Sequence, residues 1–194
     1  MKSFPLKALA KISCIIENRM KLGKSFLKKS FSGIVIKEYL HLERQEGEIV
    51  AREGVPVKIK LKTDILQGEE RDTFELIVFG RYYQKKHSSY LIYNEVIDSG
   101  TINTTVKWGE MEAQITRRGA LNMKLSFLRE GRKNGSYETE IGTFLLETYT
   151  QKMTFHWNEM EKSGIADLKY KLFMEQIEVG TYHLSFEFKE DPKI

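Results

Sequence analysis

Residues 55–65 read VPVKIKLKTDI, and this stretch decides the fold class. Val55, Val57, Ile59, Leu61, Thr63 and Ile65 fall on one side, and Lys58, Lys60 and Lys62 on the other. Successive side chains of a strand point to opposite faces, so a period of two predicts a half-buried β-strand. Nothing before Gly54 shows this order. Downstream it recurs between polar turns, in TFELIVFGRYY (73–83), SYLIYNEVI (89–97), INTTVKW (102–108) and MEAQITRR (111–118). It continues in LNMKLSFLRE (121–130), YETEIGTFLLETYT (137–150), KMTFHWN (152–158), IADLKYKLFM (165–174) and TYHLSFEF (181–188). The 73–83 stretch is apolar on both faces around Ile77 to Phe79. Trp108-Gly109-Glu110 predicts a tight hairpin, and Asn134-Gly135 predicts a second one through the positive backbone angles that pair favours. Gly142, inside 137–150, predicts a bulge or corner.

About ten strands with short turns and no helical pattern between them exclude a parallel sheet, which needs βαβ spacing. Antiparallel strands with one apolar face must close on themselves or pack on a second layer. The expectation is all-β: a single antiparallel up-and-down barrel of about 8–10 strands over residues 55–194, with a sandwich as the alternative. Such a barrel holds either a packed core or one small ligand.

The formal charge of +4 is unevenly placed. Residues 1–53 carry 11 Lys and Arg against 6 Asp and Glu, and the remainder carries 20 against 21. The strand-rich part therefore lacks the concentrated positive face that phosphate backbones require, and no nucleic-acid partner is expected. Cys14 is the only cysteine, which rules out an intramolecular disulfide and points to the cytoplasm. No apolar run approaches the roughly 20 residues of a spanning helix. Residues 1–54 form a basic extension, helical or disordered. Within 1–31, Leu6, Leu9, Ile12, Ile16, Met20 and Leu27 fall at near-helical spacing among eight basic residues, a pattern for contact with a membrane surface or a partner.

The segment from Val55 to about Glu190 resembles the YwiB-like family, a domain of unknown function found in Bacillus and its relatives. The resemblance is carried by PVKI (56–59), YLIYNE (90–95), TTVKW (104–108), ITRRGALNMKLSF (115–127), YETEIGTFLLET (137–148), LKYKLF (168–173) and GTYHLSFEF (180–188). It implies a calycin-like barrel related to lipocalins and fatty-acid-binding proteins, and it transfers no catalytic or binding residue. Similar proteins start near PVKI. Together with the change in composition at Gly54, this makes residues 1–54 an expected addition outside the domain, with a misassigned start near Val55.

Signatures of enzyme chemistry are missing, so no catalytic residue, cofactor or metal is expected. His41, His87, His156 and His183 are dispersed and lack the spacing of a zinc site. Arg117 shares strand parity with Met111, Ala113 and Ile115, and Glu95 with Leu91 and Tyr93, so both charges are predicted to point inward. They either pair with each other as a structural closure or meet the anionic group of a ligand. Tyr137 and Thr139, entering the long strand beside them in the family pattern, are candidates for the same mouth. The candidate ligand-binding set is therefore Arg117, Glu95, Tyr93, Tyr137 and Thr139, for a small apolar or anionic molecule. The alternative is a structural or protein-interaction module with a packed interior. Trp108 and Trp157 read as packing residues.

Overall fold

The computed structural model describes residues 54–192. Residues 1–53 of the basic extension lie outside the described residues, and so do its expected helix and its membrane contact. Ten strands follow in order: β1 (Val55–Gln67), β2 (Glu70–Lys85), β3 (Ser88–Ile97), β4 (Gly100–Trp108), β5 (Glu112–Gly119), β6 (Asn122–Leu128), β7 (Arg132–Thr139), β8 (Gly142–Asn158), β9 (Ser163–Met174) and β10 (Ile177–Glu190). Each pairs antiparallel with its sequence neighbours, and β1 also pairs with β10, so the sheet closes into an up-and-down barrel. Closure removes the exposed edges that an open sheet would present.

The alternation of 55–65 is the alternation of the wall. Val57, Ile59 and Leu61 are fully buried, while Lys58, Lys60 and Lys62 face outward. The lumen is filled largely by rings. Tyr82 stacks on Trp157 with centroids 4.1 Å apart, Trp108 lies 5.5 Å from Phe155, and Phe127 lies 4.8 Å from Tyr170. Tyr170 in turn stacks on Tyr182 at 5.4 Å. Trp108 and Trp157 are thus packing residues, and aromatic contacts of this kind contribute about 0.5–1.5 kcal/mol each beyond burial.

Four expectations are corrected. Asn134-Gly135 is not a turn. Both residues lie within β7, and the chain reverses earlier, at Glu130-Gly131, where Glu130 has φ 55°. Gly135 serves a close approach instead, since a Cβ there would sit 2.5 Å from the Lys124 carbonyl oxygen. The predicted strand 137–150 is two strands, because the chain turns between Thr139 and Gly142, the latter at φ 138°. The predicted break at Gln151 is a bulge inside β8, where the register shifts between Thr150 and Lys152. The extra residue keeps Thr148 and Thr150 pointing inward on one side of it and Met153 inward on the other. Met111, expected on the inward face of the strand 111–118, precedes β5 and is exposed. In β2 the two apolar faces are real: Leu76 and Val78 pack on the core, and Ile77 and Phe79 are more than half exposed.

Two seams interrupt the ladders. β2 and β3 pair only over Gly80–Lys85 with Ser88–Tyr93. β6 and β7 pair only over three positions, Asn122 to Lys124 with Glu138 to Ser136.

Candidate functional site

The inward charges meet at the upper end of the barrel, beside the β2–β3 seam. Parity places Glu95 on β3 and Arg117 on β5 pointing into the lumen, and β4 runs between them. Arg117 Nη2 lies 3.4 Å from Glu95 Oε1, with the two side chains 9% and 2% exposed. Thr104, on β4 and fully buried, donates from Oγ1 to the same Glu95 oxygen at 2.7 Å. Tyr93, two residues before Glu95 and directly opposite Thr104, is a hydrogen-bond partner of Arg117. Tyr170 of β9 adds a second phenol to the surroundings of the guanidinium.

The electrostatics follow from burial and from this pairing. Burial opposes the charge on Arg117, but the Glu95 carboxylate, reinforced by Tyr93 and Tyr170, outweighs it and holds the pKa above its ordinary value. Burial, and then the Glu95 charge, push the Tyr93 hydroxyl well above the ordinary phenol value, with Arg117 opposing. Tyr170 is raised by burial and then by Tyr182, again against Arg117. Both phenols are therefore neutral donors and acceptors at physiological pH. The site is a charge pair enclosed in a ring of hydroxyls.

The structure brings together Glu95, Arg117 and Tyr93. It does not bring the other two candidates to the pair. Tyr137 sits two strands from Arg117 at the same level, through Met123, and is half-buried, with burial raising its pKa. Thr139 closes the β7–β8 hairpin, where its Oγ1 donates to the Gly142 carbonyl at 3.0 Å. Parity reasoning missed Thr104, although it shares its face with the buried Val106 and Trp108. Tyr170 shares its buried face with Ala166, Leu168, Leu172 and Met174, and nothing in the sequence distinguishes its hydroxyl from that of Tyr182.

Among the described residues, no group of three or more His, Cys, Asp or Glu is placed to hold a metal. No helix there is long and apolar enough to cross a membrane. The outward side of β1 carries Lys58, Lys60 and Lys62, where a lipid-facing barrel wall carries an apolar band.

Comparison with known proteins agrees with this architecture. Over 115 residues the chain is 29% identical to the uncharacterized beta-barrel protein YwiB of Bacillus subtilis (strain 168), covering 59% of this chain and 80% of that protein. The crystal structure of ywiB protein from Bacillus subtilis superposes with a TM-score of 0.63 at 24% identity, over 71% of this chain and 92% of that one. The model of a domain of unknown function, DUF1934, matches residues 59–186, and the chain accordingly belongs to that family.

Proposed function

We propose that this protein is a non-enzymatic cytoplasmic barrel whose lumen is a packed core, and that it recognises other molecules on its outer surface. The observation that carries this reading is the filling of the lumen by side chains. Rings occupy it from Trp157, Tyr82 and Trp108 near one end to Phe127, Tyr170 and Tyr182 toward the other.

The charge pair supports the same conclusion. Glu95 already accepts from Thr104 and faces Arg117, so the positive charge has a built-in counterion. A ligand anion would have to displace that carboxylate in a buried setting, at the cost of stranding it. In this reading Arg117, Glu95 and Tyr93 close the barrel and do not anchor a ligand.

Native mass spectrometry of the purified chain, followed by thermal melts with added dodecanoate, tests the proposal. The expected result is an unliganded mass and no rise in the midpoint. A stoichiometric small molecule released on denaturation, or a saturable rise with dodecanoate, would instead establish a lumen ligand.

A further inference from the structure

A pocket of about 430 Å³ opens at the end of the barrel opposite the charge pair. It lies between the β2–β3 and β4–β5 turns, Arg129 after β6, and the C-terminal part of β8. Its volume falls within the roughly 300–1,000 Å³ typical of small-molecule sites. Its aromatic lining comes from Trp108 and Phe155, whose planes are inclined by 29°. Lys85, Lys86 and Arg129 line it on the solvent side, along with one carboxylate residue, Glu110. Arg129 is held there by a 3.0 Å hydrogen bond from Nη2 to the Glu110 main-chain carbonyl, which leaves its charge uncompensated. Lys85 lies over the Tyr90 ring, 5.2 Å from its centroid. Among the described residues none of the three cations forms an ion pair.

Trp108 supplies a second, independent observation. It is 2% exposed, and its indole Nε1 is buried without an acceptor, whereas Trp157 Nε1 donates to Glu159 Oε2 at 2.6 Å. A buried donor with no partner costs stability unless something supplies the acceptor. Flat rings and cations without a counterion form a complementary set. Aromatic faces take a planar ring, and guanidinium and ammonium groups take an anion.

We propose that this pocket binds a small planar anion, an aromatic or heteroaromatic ring bearing a carboxylate or a phosphate. The site rests on the reading of the barrel as a surface binder and gives that reading a definite ligand class. The charged group meets Lys86 and Arg129 at the rim, and the ring lies against Phe155, the neighbour of Trp108. Nothing enters the lumen.

The test is a titration of the ¹⁵N-labelled full chain, followed through its indole N–H signals, with salicylate, adenosine monophosphate and inorganic phosphate. Salicylate and the nucleotide separate a carboxylate source from a phosphate source, and phosphate alone controls for the ring. The expected result is a saturable movement of the Trp108 signal with at least one ring-bearing anion, while Trp157 moves less and phosphate has little effect. The Lys86→Gln/Arg129→Gln variant, altered only at exposed positions, should melt as the parent does and bind about tenfold more weakly. Absence of saturable movement, unchanged affinity in that variant, or equal binding of bare phosphate overturns the proposal. Methyl signals of Leu168 and Ile115, recorded in the same titration, watch the lumen. Their movement would refute the packed-lumen reading, whereas silence at every signal would refute only the pocket.

Discussion

Arg117 carries a guanidinium that is charged at any physiological pH into an interior made of rings and aliphatic chains. A buried charge of this kind persists only when it is paired and hydrogen-bonded; Glu95 and Tyr93 of β3 meet that need, and Thr104 of β4 in turn donates to the Glu95 carboxylate. Arg117→Met should therefore destabilise the protein by about 3–5 kcal/mol, because it leaves the Glu95 carboxylate buried without its counterion. Adding Glu95→Gln should recover part of that loss, so a double-mutant cycle measured by chemical denaturation should show strong coupling. Additive effects would mean that the two side chains act independently, against the closure role. The inward direction of Glu95 and Arg117 was legible from parity alone, since each strand has only two faces, but that they meet each other rather than a ligand emerged only from the alignment of β3, β4 and β5. The Thr104 hydroxyl that donates to Glu95 was not legible either, because a threonine on an inward face reads as an ordinary strand former until the neighbouring strands are aligned.

The strands reach past their own ladders at the seams, and side chains bridge what the backbone leaves open. Thr148 of β8 is fully buried and donates from Oγ1 to the Ser126 carbonyl of β6 at 2.6 Å, with the Lys133 carbonyl of β7 at 3.4 Å. One hydroxyl thus ties β8 to the stretch of β6 that has lost its pairing with β7. Thr148→Val keeps the shape and removes the donor, which should cost about 1–3 kcal/mol by stranding a carbonyl. Amide hydrogen exchange in β6 should accelerate beyond the general effect of lower stability. If protection at Leu125–Leu128 falls no more than in β1, the bridge does not secure the seam. Element boundaries were less legible than element identity. Glu175 and Gln176 make the β9–β10 turn with φ 50° and 69°, yet neither is a residue that favours positive angles. Conversely, Asn134-Gly135 has the composition of a turn and lies in a strand. In both places the pairing register of long neighbouring strands outweighs a local preference of about 1 kcal/mol.

Across the whole molecule, tyrosine hydroxyls distributed through the lumen couple its integrity to alkaline pH. Burial raises Tyr93 and Tyr170 far above the phenol value of 10.0 and pushes Tyr182 up to about 12. A folded-state pKa above the unfolded one means that the neutral form is favoured by folding. The stabilisation is complete below the unfolded value and is lost as pH rises through the folded values. Stability should therefore decline steeply above about pH 10. After a jump to strongly alkaline pH, phenolate absorbance should include a slow phase that coincides with the loss of near-ultraviolet circular dichroism. Complete ionisation before the dichroism changes would show that these hydroxyls are open to solvent, and the packed-lumen reading would fall with it. Strand identity, the inward and outward faces, and the need for closure are all local or compositional consequences of alternation, and they stand in the order of residues from Val55 onward. Which strands pair incompletely, that the lumen is filled with rings, and that Trp108, Phe155, Lys86 and Arg129 border one pocket arise only on closure. Closure brings residues far apart in sequence together, through registers that no single strand encodes.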